Sequence, residues 1–172
     1  MRNALAPTAV LLAVLLPAVT LAQSSDASVI AKFKEKDPGM AKVFSDAYGY
    51  VIFPTVGKGA IGIGAARGKG DVFERGELVG RSTLTQVTVG FQLGGQAYSE
   101  VIFFKDKTAL DDFKRDNFEF DAQVSAIALT ARASHDLAYN RGVAIVTMAK
   151  GGLMYEASVG GQKFSYKATR SK

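Results

Sequence analysis

The spacing of apolar positions changes period near residue 50. Before that point it is helical. Ser25 or Asp26 caps a first predicted helix running to about Lys36, with Val29, Ile30 and Phe33 apolar and Lys32, Lys34 and Lys36 around them, a pattern that reads first as a surface helix packing its stripe on the domain and second as one lying on an anionic membrane. Asp37-Pro38 then supplies a cap and a proline at the first helical position of a second helix, which ends near Ala47. Its apolar positions are Met40, Val43, Phe44 and Ala47, and Gly49 stops it.

Beyond Gly49 the period is two. Tyr50 to Phe53 reads as a short strand ended by Pro54. Ala60 to Lys69 alternates so that the even positions, Ala60, Gly62, Gly64, Ala66 and Gly68, form a nearly bare face. Segments 71–75 and 77–80 flank a turn at Arg75-Gly76. A longer strand spans Arg81 to Leu93, with Val87, Val89, Phe91 and Leu93 on one face and Gln86, Thr88 and Gln92 on the other. Gly94-Gly95 is a hairpin signal leading into Ala97 to Phe104, whose block Val101-Ile102-Phe103-Phe104 suggests burial on both faces. Asp106 or Thr108 caps an inserted helix to about Arg115. Phe118 to Arg132 is read as a strand, and Val143 to Ala149, Leu153 to Val159 and Lys163 to Lys167 follow, separated by the hairpin signals Gly151-Gly152 and Gly160-Gly161. The expected fold is α+β: a mainly antiparallel sheet of about eight strands, strongly curled or barrel-like, with two short N-terminal helices and one inserted helix.

The first 22 of the 172 residues stand apart. Arg2, the apolar run Leu5 to Leu16 and the small-residue pattern Thr20-Leu21-Ala22 predict a removed signal peptide, residues 1–22, followed by a single domain, 23–172. A retained anchor is the competing reading, weakened by the short run, Pro17 and Thr20. With no Cys the chain holds neither disulfides nor a lipid-modified cysteine, which fits a periplasmic or secreted bacterial protein, peripheral on a membrane or free. Loss of Arg2 leaves a net charge of +4. That mild basicity suits anionic lipid headgroups or simple solubility, and export makes nucleic acid a poor partner.

Few residues offer catalysis. Gly57-Lys58-Gly59-Ala60-Ile61-Gly62 matches G-x-G-x-x-G, but period-two alternation follows where a dinucleotide site needs a helix. Gly68-Lys69 fails as a phosphate loop because Ile63 and Gly70 replace its required residues. The single His135, beside Asp136, reads as a surface or capping residue. Asp111, Asp112, Asp116, Glu119 and Asp121 match no calcium loop and read as a solvated face, so neither a metal nor a cofactor is expected. Binding remains. Lys58, Arg67 and Lys69 stand beside glycines whose backbone N–H groups are accessible, which suits an anion; the same residues also fit plain solvent-facing charge.

The segments AYGYVIFPTVGKGAIGIGAARGKGDVF, STLTQVTVGFQLGGQAYSEVIFF and FDAQVS resemble the SYLF domain family of lipid-binding proteins, over roughly Val29 to Tyr166. The most specific elements are Phe53, Pro54, Gly57, Lys58 and Gly59, and the Gln92 to Gln96 run Q-L-G-G-Q. The resemblance implies phospholipid binding, through phosphoinositides in eukaryotic members, and places basic residues in the glycine segment (Lys58, Arg67, Lys69) and the first helix (Lys32, Lys34, Lys36). The expectation is a non-enzymatic envelope protein that binds anionic phospholipid by those cations, with apolar insertion by Val29, Ile30 and Phe33. A module docking an envelope protein partner, and a carrier holding a lipid in an internal cavity, are the alternatives.

Overall fold

The computed structural model describes residues 19–61, 63–89, 96–115, 118–120, 125–150 and 161–169, with side chains at 25–57, 65–87, 97–115, 118–120, 125–150 and 161–169. The elements in order are α1 (Val19–Lys36), α2 (Met40–Asp46), β1 (Gly49–Ile61), β2 (Ile63–Glu74), β3 (Glu77–Val89), β4 (Gln96–Phe104), α3 (Lys107–Phe113), β5 (Phe118–Glu119), β6 (Ala126–Ala128), α4 (Ala133–Asp136), β7 (Val143–Lys150) and β8 (Gln162–Ala168). The strands form one sheet in the order β5-β8-β3-β2-β1-β4-β7-β6. Every pairing is antiparallel except β6 with β7. The sheet is curled into a half-barrel, as the α+β expectation requires.

Two apolar layers sandwich the central strands. Side chains of distant strands converge on one face, which is therefore the concave one: Phe53 of β1 lies 5.8 Å from Phe164 of β8, and Phe113 of α3 lies 5.2 Å from the same ring. On the convex face α1, α2 and α4 cover Ile52, Val101, Phe103, Ala144 and Val146 with Val29, Phe33, Met40, Phe44 and Ala133. Being covered on both sides explains the unbroken apolar runs Val51–Phe53 and Val101–Phe104, all fully buried.

The glycines of β2 explain the curl. Ala66, Gly68 and Gly70 face the concave side and are buried. A Cβ on Gly70 would lie 2.5 Å from the Ile52 carbonyl oxygen and 2.7 Å from the Phe53 ring, and one on Gly68 would lie 2.9 Å from Val56 Cγ2. The bare face is thus filled by the side chains of the neighbouring strand. Ala60, Gly62 and Gly64 lie outside the described side chains.

Several local expectations are corrected. Pro54 does not end its strand. β1 continues to Ile61 through a register shift between Ile52 and Thr55, a bulge that absorbs the missing N–H, and Ser99 Oγ donates to the Pro54 carbonyl at 2.8 Å. α1 begins at Val19, so Ser25 and Asp26 lie inside the helix rather than capping it. Asp37 accepts from Gly39 N at 2.9 Å and from Ser134 N at 2.6 Å, tying the start of α2 to α4. β3 and β4 are not neighbours, so Gly94-Gly95, outside the described residues, does not close a hairpin between them. β7 and β8 are likewise apart, and the segment read as Leu153 to Val159 lies outside the described residues. The segment 118–132 holds β5 and β6 instead of one strand, with 121–124 not described. The two faces of β3 separate as the alternation requires, and it is the polar one that turns inward: Gln86 is 3% exposed and Val87 72%, and Gln86 pairs in register with the buried Gln162 on the concave side. Asp106 does cap α3, accepting from Ala109 N at 3.0 Å, and the Arg75-Gly76 turn joins β2 to β3 with φ of 52° and 83°.

Replacing Gly70 by Ala should destabilise the fold by about 1–3 kcal/mol, the usual cost of overpacking against backbone and ring atoms. Urea denaturation of the G70A variant measures this; unchanged stability would show that the ring of Phe53 has room to move.

Candidate functional site

The outward positions of β2, β3 and β8 form rows across three strands. Arg67 pairs with Thr85, which pairs with Lys163; Lys69 pairs with Thr83, which pairs with Ser165; Asp71 pairs with Arg81, which pairs with Lys167. Period-two alternation puts them all on one face, and the inward glycines of β2 leave its basic residues on that face. Of the convex face, α1 reaches these rows at Asp71 and beside Arg67 and Lys69, and the rest of the rows is left to solvent. Arg67, Lys69, Thr85, Arg81, Lys163, Ser165 and Lys167 are exposed.

Its charge is mostly uncompensated. Asp71 is buried and held by Arg81 Nε at 3.3 Å, and Glu119 on the edge strand β5 reaches Lys163 at 3.5 Å. Among the described residues Arg67, Lys69 and Lys167 have no ion pair. Ser25, Pro54, Thr55, Arg67, Gly68 and Lys69 line a shallow groove where α1 meets this face. Lys150 of β7 reaches the groove from the far side, its Nζ donating to Thr55 Oγ1 at 2.6 Å. Hydroxyls beside cations on a flat, open face suit oxyanions spread over a surface better than one enclosed ligand.

The structure thus brings Arg67 and Lys69 together and adds Lys163, Lys167, Arg81 and Lys150, which sequence reasoning missed. The signal for Arg81, Lys163 and Lys167 was present as alternation in RSTLT and KFSYK. Lys58 pairs in register with Ala66 and Gln96, and its side chain lies outside the described residues. Lys32, Lys34 and Lys36 are exposed along α1, with Lys34 Nζ 5.9 Å from the centre of the Phe44 ring. Phe33 is corrected: it is fully buried, edge-on to Phe44 at 6.2 Å, and Val29 is buried beside it. The apolar stripe of α1 packs on the sheet, which rules out insertion by these two residues while α1 is docked.

A polar cluster in the concave interior was not anticipated. Gln162 of β8 donates through Nε2 to Glu100 Oε2 of β4 at 3.0 Å and lies 3.5 Å from the Tyr98 hydroxyl. Glu100 is fully buried, and burial pushes its carboxyl up to about 7. Burial, then the neighbouring Glu100, also raises Tyr98. The contact spans the curl, since three strands separate β8 from β4 in the sheet. Of the remaining sequence candidates, Asp116 and Asp121 lie outside the described residues, and His135, Asp111 and Asp112 sit in surface pairs. His135 Nδ1 is 3.2 Å from Asp136, Asp112 pairs with Arg115 at 3.1 Å, and Asp111 pairs with Lys107.

A curled α+β half-barrel with an open cationic sheet face is the class these features define. Over residues 85–170 the chain matches the family model described as Ysc84, Las17-binding protein actin regulator. It belongs to this family, the SYLF family, which is known for lipid binding in general and is associated with actin regulators. Beta cell expansion factor A of Aeromonas veronii is 29% identical over 143 residues, covering 81% of this chain and 53% of that protein. The chain therefore spans about half the length of this relative.

Glu100 gives the fold a pH dependence. Its folded pKa lies above the ordinary 4.5, so its contribution to stability is fully present below that value and is lost as pH rises through about 7. The Glu100→Gln variant keeps an oxygen for Gln162 and should be the more stable protein at pH 8, by about 1–3 kcal/mol, with a flatter profile from pH 4.5 to 8. Thermal melts across that range check it.

Proposed function

We propose that this chain is an exported, non-enzymatic domain that binds anionic phospholipid surfaces through the open face of β2, β3 and β8. The observation that carries the reading is the set of cross-strand rows, in which Arg67, Lys69, Lys163 and Lys167 alternate with Thr83, Thr85 and Ser165 on an uncovered sheet face. Family membership supports lipid as the ligand class. The N-terminal sequence supports export to the periplasm or beyond, where phospholipid headgroups are an abundant polyanionic surface. Binding is peripheral: among the described residues no helix is long and apolar enough to cross a membrane, and the cations lie on a flat face that a bilayer can approach. Lys32, Lys34 and Lys36 on the solvent side of α1 add long-range attraction rather than a defined contact.

The test is co-sedimentation with vesicles of phosphatidylcholine alone or with phosphatidylglycerol. Binding is expected to the anionic vesicles and to weaken with added salt. A basic residue near an anionic surface contributes about 1 kcal/mol, so replacing Arg67, Lys69 and Lys167 together by Ala should weaken binding about a hundredfold without unfolding a protein whose altered side chains are all exposed. Equal binding to neutral and anionic vesicles, or full binding by the folded triple variant, would refute the reading.

A further inference from the structure

The end of the basic face that α1 covers holds an unusual pair of groups. Asp26 of α1 is 3% exposed and Asp71 of β2 is 6% exposed. The two carboxyls are buried next to each other, and each opposes ionisation of the other. Two ionised carboxylates in contact repel, so burying the pair favours a proton on one of them. Asp71 has Arg81 Nε at 3.3 Å to compensate its charge, whereas burial and the neighbouring Asp71 favour the protonated form of Asp26. The second carboxyl oxygen of Asp26, Oδ2, is buried with no hydrogen-bond partner among the described residues, so an ionised Asp26 would be held without compensation.

We propose that Asp26 and Asp71 form a proton-operated latch that holds the N-terminal half of α1 on the convex face of the sheet. With the proton in place the helix is docked and its Ser25 walls the groove lined by Thr55, Arg67 and Lys69. When the proton leaves, two buried carboxylates face each other, and separating α1 from β2 returns both to water. The groove then loses its wall. The latch regulates the face assigned above to anionic lipid, and rests on that reading for its use but not for its existence.

The groups facing Asp26 are few. Tyr50 faces it from β1 and Asp71 from β2, and Arg81 lies close enough on β3 to oppose the shift. Burial, then Asp71, raises Asp26 from 3.8 to about 7. Tyr50 is itself raised by burial and by Asp26, so it stays neutral throughout the relevant range. Because the docked state has the higher pKa, docking is strongest below about 4 and weakens as pH rises through 7. The latch is therefore closed in mild acid and loosened in mild alkali.

Hydrogen–deuterium exchange of the full chain without lipid tests this. After correction for intrinsic exchange, protection of the α1 amides around Asp26 should fall on the order of tenfold between pH 5.5 and 8.5. In Asp26→Asn the amide donates to Asp71 at every pH, so the fall should vanish and α1 should stay protected. Asp71→Asn removes the second charge and should also flatten the profile. The amides of β4 report global stability, and the α1 change is read relative to them, which separates it from the titration of Glu100. Equal α1 protection at both pH values in the unaltered chain, or an unchanged fall in both variants, would overturn the latch. No lipid is present, so either result is distinct from a failure of the lipid reading.

Discussion

Phe53 lies across the neighbouring strand at Gly70, and the rest of the structure depends on that contact. The ring occupies the space where β2 would otherwise present a side chain. An ordinary residue there would hold the inner surfaces apart and the sheet would stay open. With glycine the strands bend inward, and Phe53 comes within 5.8 Å of Phe164 on a strand three places away. Phe164 in turn meets Phe113, Phe118 and Phe120, so one aromatic cluster joins β1, β8, α3 and the β5 segment. Curvature here is produced by subtraction of side chains, and aromatic area fills the interior that results.

The same alternation fixes what the outside can be. Each glycine that points inward places its neighbour outward, so Arg67 and Lys69 owe their position to Gly68 and Gly70. β3 and β8 continue the pattern with hydroxyls and lysines. Packing and surface chemistry are therefore one sequence feature read on two sides of a strand. The helices complete the division. They bury the apolar half of the convex face and leave the other half to water, with the Asp26–Asp71 contact at the boundary.

Much of the fold was legible in the sequence, because it followed from period. The change near residue 50, the Asp106 cap and the Arg75-Gly76 turn all rest on local chemistry. What was not legible depends on which strands become neighbours. Gly94-Gly95 carried the signal of a hairpin, yet β3 and β4 lie on opposite sides of the β1–β2 pair. The facing of β3 was open for a related reason: alternation separates Gln86 from Val87, and only the placement of Gln162 opposite Gln86 shows which of them is inward. The site was half visible. Arg67 and Lys69 stood out through the glycines beside them, whereas Lys163 and Lys167 became relevant only once β8 was placed next to β3. Phe33 stood both as a packing residue and as a lipid-binding candidate, because an amphipathic helix looks alike whether its stripe meets a sheet or a bilayer, and it is the sheet that it meets.

The bulge at Pro54 divides β1 into two unequal working environments. From Gly49 to Phe53 the strand is covered on both sides and tolerates little change. Past the bulge, at Gly57, one side is free: a Cβ there would meet nothing within 4 Å. A proline-bearing bulge between them lets the two halves keep separate registers with β2 and β4. A scaffold divided in this way can change the surface it presents, strand end by strand end, while its interior stays the same.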